Sequence, residues 1–158
     1  LSEYQIEFQV DAFNSKTRNH CNYYRLKGFD ESWEKQREVI ASLKPSGYTR
    51  IGPAIRHAQT LLDKQDSKKK WLIIISDAKP NDYDKYEGKY GIADVRQAIR
   101  ELNQTDISVH AFAIEEMAKY YLPLIFRNSD YNVLATPKEL LNGISEFCRK
   151  VMRSGRLV

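Results

Sequence analysis

The sequence predicts an α/β protein that is doubly wound around a mostly parallel sheet, with helices on both faces and an antiparallel hairpin strand at one edge. The first observation is the continuous apolar run Trp71–Ile75, whose lack of alternation is typical of a strand covered on both faces. The second is the regular alternation of predicted strands and helices from Trp71 onwards, which is the pattern of a parallel sheet. The third is an earlier pair of strand-like segments joined by polar residues, which predicts the hairpin.

The first part of the chain predicts this hairpin followed by two helices. Gln5–Phe13 alternates in part between apolar and polar residues and is predicted to be a strand. The polar segment Asn14–Asn19 is predicted to be a turn, and His20–Leu26 to be the antiparallel partner strand. Helical patterns cover Trp33–Leu43 and Gly52–Lys64, and a Pro-Ser-Gly sequence follows the first of them.

The second part of the chain predicts strands that alternate with helices. In order, the predicted elements are a strand at Trp71–Ile75, a polar loop at Ala78–Gly91, a helix at Ile92–Leu102, a strand at Ser108–Ile114, a short helix at Ala118–Ile125, a strand at Tyr131–Leu134 and a closing helix after Thr136. Thr136 is suited to cap the closing helix, because a hydroxyl can accept a hydrogen bond from a backbone N–H of the first turn. The predicted inner face of this helix carries Leu140, Leu141, Ile144, Phe147 and Val151.

Length and charge indicate one globular domain over residues 1–158 that does not bind nucleic acid. The 158 residues are enough to bury a single core. The 25 basic and 21 acidic residues nearly balance, with a formal net charge of +4. Basic residues are scattered apart from Lys68-Lys69-Lys70, which we interpret as the solvated entry to the next strand, and no nucleic-acid-binding motif is present.

The sequence favours a cytoplasmic protein without direct membrane insertion. The longest apolar run, Trp71–Ile75, is too short to cross a bilayer. The first residues lack the basic and apolar regions of a signal peptide. Cys21 and Cys148 are far apart and lack metal-site spacing, which favours two reduced thiols, with a disulfide or a metal site as the alternatives.

Two oxygen-bearing side chains are predicted to meet at one edge of the sheet. Asp77 directly follows the apolar strand, at the carboxyl end where open parallel sheets bind ligands. Thr49 lies in a glycine-flanked loop that enters the second helix, where its ordinary role is that of a helix cap. Each residue type is common at such a position. Together, a hydroxyl and a carboxylate from separate loops are hard oxygen ligands that suit Mg²⁺, and a partner's carboxylate can fill an open coordination position.

Several blocks of the sequence resemble the C-terminal von Willebrand factor A domain of NorD-type proteins. The most specific blocks are Ile73–Asp77 followed by Lys79–Asp82, and then Tyr86–Gly91. Gly47–Gly52 with the residues after it, and Lys27–Glu31, resemble the same family. The likeness covers nearly the whole chain, and it implies the doubly wound fold of an A domain.

The resemblance implies a metal-ion-dependent adhesion site built from three loops. In the family, the first loop carries an Asp-x-Ser-x-Ser motif, the second a Thr and the third an Asp; Thr49 and Asp77 match the second and third. The first motif is absent, and we expect it upstream of Leu1 with the first strand and helix, so that the domain is N-terminally incomplete. Weak or absent Mg²⁺ binding is expected from so few ligands. Ala78 also departs from the Gly that the family usually has there.

The resemblance also implies protein partners. NorD-like proteins are expected to pair with a MoxR-type AAA+ ATPase and to help it activate or remodel a client, nitric oxide reductase for NorD and Rubisco for the related CbbO type. Aromatic and charged side chains mix well at interfaces, so the loop beside Asp77 is a candidate surface. Its predicted partner-binding residues are Lys79, Asn81, Asp82, Tyr86, Glu87 and Tyr90. The alternative is a packed cap whose tyrosines cover the sheet edge.

We therefore interpret the chain as a binding adaptor and not as an enzyme. No Ser or Cys has a His and an acid at a recognisable spacing, and no phosphate-binding glycine motif occurs. The alternative of a different class is a phosphotransferase-like α/β enzyme that uses Asp77. His110, beside Val109 and Phe112 in a predicted strand, is interpreted as a satisfied core or edge residue.

Overall fold

The computed structural model describes residues 6–77, 79–127 and 129–153, so Gln5 and Ala78 of the predicted elements lie outside the described residues. The described strands are β1 Val10–Thr17, β2 His20–Lys27, β3 Lys70–Ser76, β4 Ile107–Ala113 and β5 Tyr131–Val133. The α-helices are α1 Trp33–Ala41, α2 Ile51–Leu62, α3 Gly88–Leu102, α4 Leu122–Ile125 and α5 Pro137–Arg153, and a 3₁₀ helix covers Glu116–Tyr120.

The first strand of the hairpin begins and ends later than the sequence predicts: residues 6–9 are not in a strand, whereas residues 14–17 are. β1 pairs antiparallel with β2, and only Arg18 and Asn19 lie between the two strands. Residues 14–17, predicted to be part of the turn, continue β1 because their backbone pairs with β2. At Ser15 the backbone also pairs with Tyr48 on the opposite edge, through N···O distances of 2.9 and 2.8 Å. Pairing of the backbone on both edges thus holds polar residues in a strand.

The strands after the hairpin form a parallel sheet in the order β3-β4-β5. β4 is central, since it pairs with all of β3 and with β5 over its last residues. Within the described residues, the hairpin is a separate two-stranded sheet. The prediction of an α/β fold with a parallel sheet and an antiparallel hairpin is therefore confirmed.

Helices cover both faces of β4. Val109 and Ala111 belong to the main hydrophobic core, together with residues of α2, α3 and α4. On the other face, His110 and Phe112 contact Phe147 of α5, with ring centroids 4.4 and 6.0 Å apart. This two-sided covering confirms the doubly wound arrangement, and it explains why β4 is buried along nearly its whole length.

Helix α5 buries a narrower face than the sequence predicts. Cys148 is 4% exposed, and Gly143 lies so close to the sheet that an added Cβ would be 3.2 Å from the Phe112 ring. Leu141, predicted to lie on the inner face, is 74% exposed. Leu141 points in nearly the same direction as Cys148, which is almost two helical turns further on, so its exposure depends on what packs against the start of the helix and not on helical spacing.

Helix α3 begins one turn earlier than predicted, at Gly88 rather than at Ile92. Gly91, which resembles a loop glycine in the sequence, is buried inside the helix, where an added Cβ would meet the Pro80 side chain at 2.7 Å. Close packing, and not a turn, therefore requires this glycine. The earlier start places Tyr90 in the first turn of the helix.

Two further expectations concern the cysteines and the membrane. Cys21 is exposed and Cys148 is buried, and both thiols are free. Burial is the main cause of the raised pKa of the Cys148 thiol.

None of the helices in the described ranges has the length and apolarity needed to cross a membrane.

His110 is the satisfied core residue that the sequence predicts. It is 6% exposed, and its Nε2 lies 2.8 Å from the Asn132 side-chain oxygen. Burial lowers the pKa of His110; the bond to Asn132 and the charge of Asp130 act in the opposite direction, and Lys150 acts with burial. The folded chain therefore binds a proton at His110 less readily than the unfolded chain does.

This difference predicts a loss of stability in mild acid. The stabilising contribution is complete above the ordinary histidine pKa of 6.5 and is lost as the pH falls below it, because the unfolded state then binds more protons. We expect the unfolding free energy, measured with denaturant between about pH 7.5 and about pH 5, to fall more steeply in the wild type than in His110→Gln. The exposed His20 offers the matched control His20→Gln, which should keep the wild-type slope. An unchanged slope in His110→Gln would contradict the prediction.

Candidate functional site

Asp77 lies where the sequence predicts it, directly after β3 at the carboxyl end of the strand. The side chain is exposed. Its Oδ1 accepts hydrogen bonds from the Ser76 hydroxyl and from the backbone N–H of Lys79, both at 3.2 Å. These bonds orient the carboxylate within the loop and leave it accessible from solvent.

A tyrosine from the next crossover holds the backbone at this point. The Tyr121 hydroxyl donates a hydrogen bond to the Asp77 carbonyl oxygen at 3.0 Å. Burial, aided by the charges of Glu115 and Asp77, raises the pKa of Tyr121 to about 12, so the hydroxyl keeps its proton at neutral pH. The loop after β4 and the loop after β3 are thus joined beside the candidate ligand.

The loop that carries Thr49 is bonded to the loop that carries Asp77. Thr49 and Asn81 form an antiparallel bridge, with N···O distances of 2.9 and 3.1 Å between their backbones. Helix α2 has Arg50 at its N-cap position and no side-chain cap bond, so the alternative role of Thr49 as a helix cap is not observed. The structure therefore brings the two predicted ligand loops to one edge of the sheet; their binding of a metal stays a prediction.

The side chains at this edge fit Mg²⁺ in kind but are few. A carboxylate and a hydroxyl are the hard oxygen ligands that Mg²⁺ prefers, and it usually keeps several waters as well. Within the described part of the chain, no group of three or more His, Cys, Asp or Glu side chains is arranged to hold a metal. Thr49 and Asp77 would therefore share an ion with waters and with further oxygen ligands.

Arg50, next to Thr49, is buried between two aspartates of the facing loop. Its Nε donates to Asp82 Oδ2 at 2.9 Å, and a terminal nitrogen pairs with Asp84. The side chains of Arg50 and Asp82 are 5% and 0% exposed. Burial alone would lower the pKa of Arg50, but the hydrogen bond to Asp82 and the negative charges of Asp84 and Asp82 raise it. A charged, paired guanidinium therefore lies beside the Thr49–Asn81 bridge.

Asp84 connects this ion pair to the hairpin. Its Oδ2 accepts hydrogen bonds from the backbone N–H and the Nε of Arg18, at 3.0 and 3.1 Å. The hydrogen bond from the Arg18 backbone is the main cause of the lowered pKa of Asp84. The turn of the hairpin, the Thr49 loop and the loop after β3 consequently meet around one carboxylate.

The ring of Tyr86 packs against the Arg50 guanidinium in the same cluster. The Tyr86 side chain is fully buried, and its ring centre lies 4.2 Å from the guanidinium carbon of Arg50. The hydroxyl accepts a hydrogen bond from the Gly52 N–H at 3.2 Å and donates one to Asp94. Burial is the main cause, and the bond to Asp94 the second cause, of its raised pKa. An added Cβ at Gly52 would lie 1.9 Å from Asp94 Oδ2, so the start of α2 requires glycine for close packing.

Exposure divides the predicted partner-binding residues into two groups. Asp82 and Tyr86 are 4% and 0% exposed and bond to Arg50 and Asp94, which corrects the expectation that their side chains meet a partner directly. The remaining members are exposed and stay predicted contacts: Lys79, Asn81, Glu87 and Tyr90. The packed-cap and the interface interpretations thus describe different residues of the same loop.

Sequence reasoning missed Arg50, Asp84 and Tyr121. A single arginine in a polar loop resembles any solvated cation, and its burial depends on aspartates that lie more than thirty residues further along the chain. The spacing of Asp82 and Asp84 is the one available signal, because two nearby carboxylates require a cation if the loop is buried. The residues near Asp82 and Asp84 in the sequence do not indicate that the loop is buried.

Comparison with known proteins identifies the family of the chain. The protein-family model of the von Willebrand factor type A domain matches residues 1–145 of this chain. The chain belongs to this family. It is 39% identical over 130 residues to the protein NorD of Brucella abortus (strain 2308), which covers 82% of this chain and 20% of that protein. The A domain is thus part of a longer protein in this relative.

Two other relatives are also similar to most of this chain over a small part of their own length. The protein NorD of Stutzerimonas stutzeri is 36% identical over 140 residues, which is 88% of this chain and 23% of the relative. An uncharacterised protein of Pseudomonas aeruginosa is 35% identical over 147 residues, which is 92% of this chain and 24% of the relative. The chain therefore spans between 20% and 24% of the length of these curated relatives.

Proposed function

We propose that this A domain is a metal-assisted protein-binding adaptor of a NorD-like protein that works with a MoxR-type AAA+ ATPase. The observation that carries the proposal is the Thr49–Asn81 bridge, which joins the loop of the Thr49 hydroxyl to the loop of the Asp77 carboxylate. Membership of the family and the likeness to proteins named NorD support the same type of site at this edge. The activity is binding, and no bond is made or broken.

In this proposal Thr49 and Asp77 hold Mg²⁺ together with waters and further oxygen ligands. A carboxylate of the partner fills the remaining coordination position. The exposed side chains beside the ion then contact the same partner: Lys79, Asn81, Glu87 and Tyr90. The client acted on with the ATPase is nitric oxide reductase, and Rubisco is the alternative client.

Replacing Asp77 with alanine tests this proposal. We expect Asp77→Ala in the full-length protein to weaken Mg²⁺-dependent partner binding by at least about tenfold, since one charge-assisted contact commonly contributes that much. The fold should be unchanged, because the Asp77 side chain is exposed. The measurements are capture of the MoxR-type ATPase with and without Mg²⁺, Mg²⁺ titration by calorimetry, and activation of the client.

Asp66 provides a matched control. It is an exposed aspartate in the segment before β3, at the opposite end of that strand from Asp77. Asp66→Ala should retain partner capture and Mg²⁺ binding. Full Mg²⁺-dependent capture and activation by Asp77→Ala would overturn the adaptor proposal. Transfer of a phosphoryl group from acetyl phosphate to Asp77 would instead favour the phosphotransferase alternative.

A further inference from the structure

A groove lies between α3 and the segment of α4 that continues to Arg127. It encloses about 460 Å³. One wall is a stripe of α3 that includes Arg96 and Arg100, one helical turn apart. Ile99 and Phe126 are among the residues at the floor, 3% and 8% exposed, and the core behind them fixes their positions.

The charged groups that line this groove all have the same sign. Among the described residues, its lining includes Arg96, Arg100 and Arg127 and no acidic residue. Among the ion pairs of the described residues, only Arg127 of these three has a carboxylate, that of Asp130 at 3.0 Å. The Arg127 side chain remains 76% exposed. The groove therefore combines an apolar floor with a positively charged rim.

One arginine of the rim, Arg96, is held in place by a hydrogen bond. Arg96 Nε donates a hydrogen bond to the Leu124 carbonyl oxygen, which ties α3 to α4 across one end of the groove. Leu124 itself is 49% exposed and is part of the lining. A fixed guanidinium next to an exposed leucine presents charge and apolar surface together, which suits a protein ligand that carries both.

The groove is close to the candidate metal edge. Tyr121, which bonds to the Asp77 carbonyl oxygen, directly precedes α4, and the helical segment from Tyr121 to Ile125 is about 6 Å long. The groove therefore lies beside the helix whose preceding residue is bonded to the Asp77 loop.

We propose that this groove binds an acidic peptide segment of a partner protein, with one apolar side chain placed on the floor beside Leu124. Charge complementarity carries the assignment, because carboxylates of the segment would face three arginines and no acidic residue of the lining. The identity of the partner rests on the proposed function, but binding in the groove requires neither Mg²⁺ nor Asp77. The two sites are separable by experiment.

The apolar floor distinguishes this ligand from a generic polyanion. A nucleic acid or polyphosphate would need only the arginines, whereas the segment proposed here gains additional affinity by covering Leu124. Removing the leucines from a test peptide should therefore weaken binding even when every carboxylate is kept.

The test is fluorescence anisotropy on the full-length protein, with a labelled synthetic peptide of alternating glutamate and leucine. We expect saturable binding that weakens as salt is added. Arg100→Glu should raise Kd by about tenfold or more, since it replaces an attraction with a repulsion. Lys68→Glu, which makes the same charge change at an exposed site outside the groove, should leave Kd within about twofold. EDTA and Asp77→Ala should have no effect on this peptide.

Three outcomes would each overturn the groove proposal. Equal weakening by Lys68→Glu would show that the net charge, and not the groove, attracts the peptide. Equal binding of a glutamate-only peptide or of a single-stranded oligonucleotide would identify a polyanion surface. Loss of peptide binding in EDTA would assign the peptide to the Asp77 edge. Failure of Asp77→Ala to affect partner capture would overturn the adaptor proposal and leave the groove result standing.

Discussion

Arg50→Ala is expected to lower the unfolding free energy by about 3–5 kcal/mol, the usual cost of breaking a buried ion pair by removing one partner. The substitution leaves the fully buried Asp82 carboxylate without its cation. It also removes the group that Asp84 and the Tyr86 ring contact. Denaturant unfolding at a pH near neutral measures the change.

Arg18→Ala is the matched control for this prediction. Arg18 pairs with Asp84 in the same cluster, but its side chain is 68% exposed, so its loss should cost less than about 1 kcal/mol. The double variant Arg50→Met with Asp82→Leu should be more stable than Arg50→Ala, because it removes both buried charges and fills the space. A cost for Arg50→Ala that matches the Arg18→Ala cost would show that Arg50 is solvated.

The Arg50–Asp82 ion pair is expected both to stabilise the fold and to position the two loops of the proposed metal site. Arg50 adjoins Thr49, and Asp82 adjoins Asn81, so the pair lies directly beside the backbone bridge that joins the two ligand loops. In conditions where Arg50→Ala is still folded, we expect weaker Mg²⁺ binding without any change to a ligand. The ion pair is in this sense a positioning device for the two loops.

Tyr86→Ala is the second substitution expected to have a large effect. Truncating a fully buried aromatic side chain typically costs about 3–5 kcal/mol. Here the substitution also uncovers Arg50 and removes the hydrogen bonds to Gly52 and Asp94. Tyr86→Phe keeps the ring and should cost about 1–3 kcal/mol, the penalty for leaving buried polar groups without a partner.

Tyr83 supplies the comparison for Tyr86. It lies in the same loop but is 74% exposed, so Tyr83→Ala should change the unfolding free energy by no more than about 0.5 kcal/mol. Thermal and denaturant unfolding of the three variants would separate a packing role from a surface role. A Tyr86→Ala protein with wild-type stability and impaired partner capture would restore the original expectation of a direct contact.

The sequence by itself determined the class of the fold and the edge at which ligands are expected. The apolar run Trp71–Ile75 lies within a parallel strand, and Asp77 follows it at the carboxyl end, as predicted. The predicted covering of this strand on both faces is only partial, because β3 is an edge strand of the described sheet and Ile75 is 47% exposed. The apolar stripe of α2 follows from helical spacing in the same way. These properties are periodic and local, so a single segment carries enough information to predict them.

The tertiary structure alone decided which polar residues are buried. Arg50, Asp82 and Tyr86 resemble surface residues in the sequence, yet they are enclosed because three loops from distant parts of the chain converge on them. The end of β1 likewise depends on the backbone pairing of residues 14–17 with β2. The cost of burying a charge is offset only by partners that the fold brings close, and the spacing of residues along the chain does not contain that information.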